Sequence, residues 1–182
     1  MKYFTGIGSR YITEEDKQSI SDACGVVASY FPCAVLISGG AIGSDQAWED
    51  AWKALGGEVH IMLPKEDFYD YDPEDENVYL ITREDVEAHE SVERFHANHL
   101  KLSSDGFKYM RRNYRQILHP DGGQSSLVLT VADCNEDGTT MGGTGQAVRI
   151  ANRVHSPVIN MRIDDALAKI ERILTLHKVL GA

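Results

Sequence analysis

Apolar runs of strand length alternate with stretches of helical spacing along this chain, and that alternation restricts the fold more than any other feature. The runs are YFTGIG (3–8), CAVLISGG (33–40), GGEVHIMLP (56–64), SSLVLTV (125–131) and SPVINM (156–161). Helical spacing occupies 13–31, 44–55, 142–154 and 164–180, and predicts further helices at about 84–98 and 104–118. A strand that is apolar on both faces must be covered on both faces, which calls for parallel strands with crossover helices. The expected fold is therefore α/β, a Rossmann-like open parallel sheet with helices on both sides. Thr13 followed by acids is a helix start, and the last helix is expected to present Leu167, Ile170, Leu174 and Leu176 to the core.

A chain of 182 residues suits one domain, 1–182. Residues 65–83, KEDFYDYDPEDENVYLITR, break the alternation, being dense in acids and tyrosines. They open an insertion over about 65–108, read as an excursion outside the sheet. Its Phe68, Tyr69 or Tyr71 would either stack on a base or lie on a solvated surface.

No apolar run approaches a membrane span, and MKYFTGIGSR lacks the apolar stretch of a secretion signal. Cys24, Cys33 and Cys134 form no CxxC pair. A reducing, cytoplasmic compartment is expected, with no membrane partner, no metal and no cofactor. The 28 acids outnumber the 18 bases, giving a net charge of −10. Such a field repels polyanions and makes nucleic acid the less favoured partner.

Chemistry concentrates in the turns after strands. In LISGGAIGSDQAWEDAW, Ser38, Gly39, Gly40, Gly43 and Ser44 stand between strand and helix, where backbone N–H groups can face the carboxyl end of the sheet. Asp45 in the first helical turn competes with an anion for those donors, so a ribose hydroxyl or a base edge is its expected partner. Glu49 shares the face of Asp45, opposite Trp48 and Trp52. In MGGTGQAVRIA, Gly142, Gly143, Thr144 and Gly145 repeat the arrangement with Gln146 in place of an acid, a better anion cradle. The first turn adds Gly8, Ser9 and Arg10. Tyr11 stands where GxGxxG needs its third glycine, so a nicotinamide dehydrogenase is disfavoured. YMRRNYRQIL places Arg111, Arg112, Asn113 and Arg115 together in an acidic chain. His89, Glu93, His96 and His99 have helical spacing without a second cluster to complete a metal shell.

Taken together and in order, GIGSR, LISGGAIGSDQAWEDA, RRN and GGTGQAVRIANRVHSPVINM resemble the Rossmann-like superfamily of DNA-processing protein A and the Lonely Guy phosphoribohydrolases (SLOG). Within it, the motifs are most similar to short DNA-processing-A-like proteins often encoded by phages. The resemblance covers about 1–64 and 109–162 and implies a nucleotide-derived ligand and a homodimer. Lonely Guy enzymes cleave an N-glycosidic bond with PGGxGTxxE; here Met141, Gln146 and Arg149 take the proline, threonine and glutamate positions.

The expected function is binding of a small nucleotide-derived ligand, such as an ADP-ribose derivative or cyclic nucleotide, between the two glycine turns. Arg10 and Arg112 would clamp phosphate. The phage-like resemblance implies sequestration of a host immune signal, an anti-defence role. One alternative is N-glycosidic chemistry with Asp45 or Glu49 as the catalytic carboxylate. A further alternative is a single-stranded-DNA-binding recombination accessory protein.

Overall fold

The structure, a computed structural model, describes residues 1–96, 98–136 and 138–181. Six strands form one all-parallel sheet: β1 (Tyr3–Gly8), β2 (Val35–Ser38), β3 (Glu58–Leu63), β4 (Val78–Leu80), β5 (Ser125–Val131) and β6 (Val158–Asn160), in the order β4-β3-β2-β1-β5-β6. The helices are α1 (Glu14–Tyr30), α2 (Ser44–Ala54), α3 (Val86–Phe95), α4 (Ser104–Ile117), α5 (Gly142–Arg153) and α6 (Ala166–Leu180). This is the α/β class that the alternation of apolar runs and helical spacing predicts. Among the described residues no helix is long and apolar enough to cross a membrane.

Side chains along each strand alternate between two cores. Phe4, Leu36, Leu127 and Leu129 meet Ile20, Trp48, Ile170 and Leu174 of α1, α2 and α6. On the other face, Ile7 and Val128 pack with Ile117, Ala147, Ile150 and Ala151 of α4 and α5. Gly6 makes room within β1: a Cβ there would enter the ring of Trp48. Thr13 caps α1 in a reciprocal box, its hydroxyl accepting from the Asp16 amide at 3.1 Å while Asp16 Oδ2 accepts from the Thr13 amide at 2.8 Å. Asp16 is also gripped by Arg162 at 2.8 and 3.0 Å, which holds its carboxyl down at about 2 and ties α1 to the end of β6.

Two expectations change on folding. Residues 65–83 do not stay outside the sheet, since Val78–Leu80 pair with Ile61–Leu63 as an edge strand and Phe68 is buried in the core. In α6, Ile170 and Leu174 are fully buried, whereas Leu167 and Leu176 are 36% and 55% exposed. Helix α6 packs chiefly on α1, and a contact with one helix uses a narrower stripe than a seat between several elements.

At the amino edge of the sheet, His60 and His119 are buried and hydrogen-bonded, Nδ1 to Nε2, at 2.8 Å. Tyr3 stacks on His119 with ring centroids 4.6 Å apart. His119 Nδ1 lies 3.2 Å from the Asp121 amide and 2.9 Å from its carboxylate. His60 Nε2–H donates to Glu58 at 2.8 Å. Burial holds His119 below the ordinary histidine pKa. The unfolded chain therefore takes up a proton near pH 6.5 that the folded chain resists, so stability is full above about pH 6.5 and falls as pH drops below it. Urea midpoints at pH 7.5 and 5.5 should show this decline, and His119→Gln should flatten it.

Candidate functional site

Strand order reverses between β1 and β5, and the carboxyl ends of these two strands form the crevice where open α/β sheets place ligands. Ser9 knits the crevice floor. Its amide donates to the Val131 carbonyl at 2.7 Å, and its own carbonyl accepts from the Ser44 amide at 3.0 Å. Gly8 lies so close beneath that a Cβ would strike the Val131 carbonyl and come within 2.7 Å of Ser44 Oγ. Gly43 has φ +102°, and the Arg10 backbone occupies the place its Cβ would take. The Arg10 side chain is exposed and has no ion-pair partner among the described residues. It borders a groove of about 700 Å³ between α1 and α2, lined also by Tyr11, Lys17, Ile42, Gln46 and Asp50. That volume lies within the usual range of small-molecule sites, about 300–1,000 Å³.

The first glycine turn is closed by its neighbours. Asp45 turns back from α2 and accepts from the Ala41 amide at 3.4 Å, and Arg112 of α4 approaches its Oδ2 at 3.3 Å through Nη1. The same Nη1 donates to Gln116 Oε1 at 2.8 Å. Burial raises the Asp45 pKa, with Arg112 and the turn amides opposing that rise. Gly39 and Gly40 are buried because side chains lie on them. A Cβ at Gly39 would enter the Arg112 guanidinium, and one at Gly40, where φ is +67°, would come within 2.7 Å of the Tyr71 ring.

Glu49 is buried as well, 2% exposed, although it lies opposite the tryptophan face. Its carboxylate accepts from Ser38 Oγ at 2.6 Å and from the Tyr71 hydroxyl at 2.7 Å, while Lys53 stands 3.6 Å away. Burial raises its pKa, and the hydroxyl bonds partly offset this. Two protonatable carboxylates thus sit one helical turn apart on α2, both shielded from solvent, with Tyr71 of the 65–83 excursion covering the second.

The second glycine turn is open. Helix α5 begins at Gly142 without a side-chain cap and without an acid in its first turn. Gly142 is exposed with φ +61°, and Gly143 and Thr144 are half-buried. The amides of Gly142, Gly143 and Thr144 have no acceptor among the described residues. Gly145 is packed on the backbone instead, its Cβ position filled by the Thr140 carbonyl. Asn113 Nδ2 donates at 3.1 Å both to the Gly143 carbonyl and to Gln146 Oε1. Adjacent residues of α4, Arg112 and Asn113, therefore hold the two glycine turns, which fixes their spacing across the crevice.

Buried polar atoms without a partner gather here: Ser44 Oγ, Arg112 Nε, Gln116 Nε2, Thr130 Oγ1 and Gln146 Nε2. Native folds leave few such groups, and those that remain are ordinarily met by water or an ion. Gln116 was not among the sequence candidates, and Tyr71, expected to stack on a base or lie on a solvated surface, meets Glu49 instead. Gln116 was readable as the residue four past Arg112 on one helix, whereas nothing local announces that Tyr71 will meet Glu49. Arg111 and Arg115 point elsewhere, Arg115 forming a forked pair with Asp85 at 2.6 and 2.7 Å. Arg149 donates to the Phe95 carbonyl. Among the described residues His89, Glu93, His96 and His99 do not gather into a metal-holding group, and His89 packs on Phe107.

No protein-family model matches the sequence, and no curated protein matches it either. Two solved structures are similar to it. DNA processing protein A from Helicobacter pylori, a single-stranded-DNA-binding protein, matches with a TM-score of 0.53 at 16% identity, over 97% of this chain and 73% of that one. DNA processing protein A from Streptococcus pneumoniae matches with a TM-score of 0.51 at 17% identity, over 98% of this chain and 61% of that one. At such identities the likeness concerns the fold, and the six-stranded parallel sheet with its switch-point crevice is a Rossmann-like fold of the kind found in DNA processing protein A.

Proposed function

We propose that the switch-point crevice binds a nucleotide-derived ligand. The ligand's phosphate would rest on the amides of Gly142, Gly143 and Thr144, with Arg10 as the cation. The observation that carries this reading is the uncapped, acid-free start of α5, whose first amides have no acceptor among the described residues. Free amides at a helix start hold anions through hydrogen bonds and the helix dipole together. Gly39 and Asp45, committed to Arg112, serve in this reading to shape the crevice. Intact retention fits better than turnover, because Asp45 and Glu49 are shielded and Arg149 stands at the Lonely Guy glutamate position. Sequestration of a signalling nucleotide is the biological form that reading takes.

Single-stranded DNA is the second reading, favoured by the fold comparison. The charge of −10 and the engagement of Arg112 and Arg115 with acids oppose a long phosphate track. One titration separates the two. Mononucleotides, ADP-ribose derivatives, cyclic dinucleotides and a short oligodeoxynucleotide are titrated calorimetrically at two salt concentrations, and the bound small molecules are then analysed by mass spectrometry. A free nucleotide retained intact, weakened about tenfold by Arg10→Ala, is the expected result. Oligonucleotide binding that falls steeply with salt would replace it with the single-strand reading. Release of a free base would make the protein a glycosidase, and failure of every ligand at micromolar protein would refute all three.

A further inference from the structure

A second cavity, of about 370 Å³, opens at the carboxyl ends of β3 and β4, away from the β1/β5 switch point. Pro64, Lys65, Glu66 and Asp67 form one wall, Leu80, Ile81 and Thr82 another, and Lys108 and Arg111 of α4 the third. Arg111 is the unusual member. It is 8% exposed, yet no carboxylate lies within ion-pair distance among the described residues. Its Nε donates to the Ile81 carbonyl at 3.1 Å, which fixes the guanidinium plane. The two Nη groups have no hydrogen-bond acceptor among the described residues and are not sealed from the cavity. Burial lowers the Arg111 pKa, and Glu84 and Asp85 oppose this only from beyond ion-pair distance, whereas Arg112 and Arg115 on the same helix each touch an acid.

We propose that this cavity is an anion site for a small phosphate monoester, separate from the switch-point crevice and independent of the reading given for it. A guanidinium held by one bond presents its remaining donors as a fork, the geometry that matches two oxygens of a phosphate. Lys108 lies one turn before Arg111, and Lys65 stands across the cavity. Their present partners are exposed acids, Asp105 at 3.1 Å and Asp67 at 3.3 Å, and such pairs are weak enough for both ammonium groups to turn to a bound anion. Pro64, Leu80 and Ile81 offer an apolar side for the organic part of the ligand. Glu66 and Asp67 on the rim disfavour ligands with charge beyond one phosphate group, which selects a monoester over a polyphosphate or a nucleic-acid strand.

The test is a titration of the full chain with inorganic phosphate, then with ribose 5-phosphate, at constant ionic strength, followed through amide chemical shifts. Saturable shifts at Lys65, Ile81, Thr82 and Lys108 are expected, with a concentration dependence separate from that of any shifts at Gly142–Thr144. Ribose 5-phosphate should bind more tightly than inorganic phosphate. Arg111→Lys should weaken binding about tenfold, because a point charge replaces the fork. Lys65→Ala with Lys108→Ala, both half-exposed and safe for folding, should weaken it about threefold to tenfold. Unchanged affinity in that double variant, equal competition by acetate, or no shifts at the cavity would each overturn the proposal. The switch-point reading would survive all three outcomes, since it is read at different amides.

Discussion

Arg112→Ala is expected to destabilise the protein by about 3–5 kcal/mol, among the largest effects of any single substitution outside the apolar core. The side chain is 6% exposed, and its Nη1 serves both Asp45 and Gln116. Its loss leaves the Asp45 carboxylate buried without a cation and the Gln116 carbonyl without its donor. Asp45 would respond by taking up a proton, since its pKa is already raised by burial and Arg112 is the largest force opposing that rise. The destabilisation should therefore be greater at pH 8 than at pH 5, where protonation relieves the uncompensated charge. Urea unfolding followed by fluorescence at both pH values checks this. A loss below about 1 kcal/mol, equal at the two pH values, would mean that the pair behaves as a solvated surface contact.

Gly39→Ala is expected to cost about 3 kcal/mol, combining overpacking with disturbance of the buried pair. Gly39 does not have a positive φ, so backbone strain is not the cause. The space itself is occupied: the new methyl would enter the Arg112 guanidinium and lie 2.7 Å from Asp45 Oδ2. This makes a sharper prediction in combination. In the Arg112→Ala background the methyl meets vacated space, so adding Gly39→Ala should cost less than about 1 kcal/mol more, a coupling of roughly 2 kcal/mol. Strict additivity of the two substitutions would refute the steric account. By contrast, Gly142→Ala meets no neighbouring atom and is penalised only for its positive φ.

These two residues show where sequence reasoning stops. Glycines after strand two were read as leaving a backbone open to a ligand, and the same residue types stand after strand five. The structure treats the two turns differently: Arg112 and Tyr71 lie on the first, while the second is open. The distinction depends on Arg112, 73 positions after Gly39, and Tyr71, 31 positions after Gly40, which reach these glycines only through the fold, and no local spacing encodes it. The histidine pair at the amino edge is likewise invisible in sequence, because His60 and His119 meet only once β3 and the end of α4 lie side by side.

The sequence by itself determined the class of fold, the alternation of strands and helices, the cap at Thr13 and the set of turns that converge at the switch point. These follow from local physics: the period of apolar residues, the chemistry of capping, and the need to cover both faces of an apolar strand. The tertiary structure alone decided which donors are left free. Whether an arginine or a glycine amide can meet a ligand depends on what already hydrogen-bonds to it, and those partners are chosen by packing between distant segments. Arg112 is consumed by Asp45, Arg115 by Asp85 and Glu49 by Ser38 and Tyr71, while Arg10, the Nη groups of Arg111 and the first amides of α5 have no partner among the described residues.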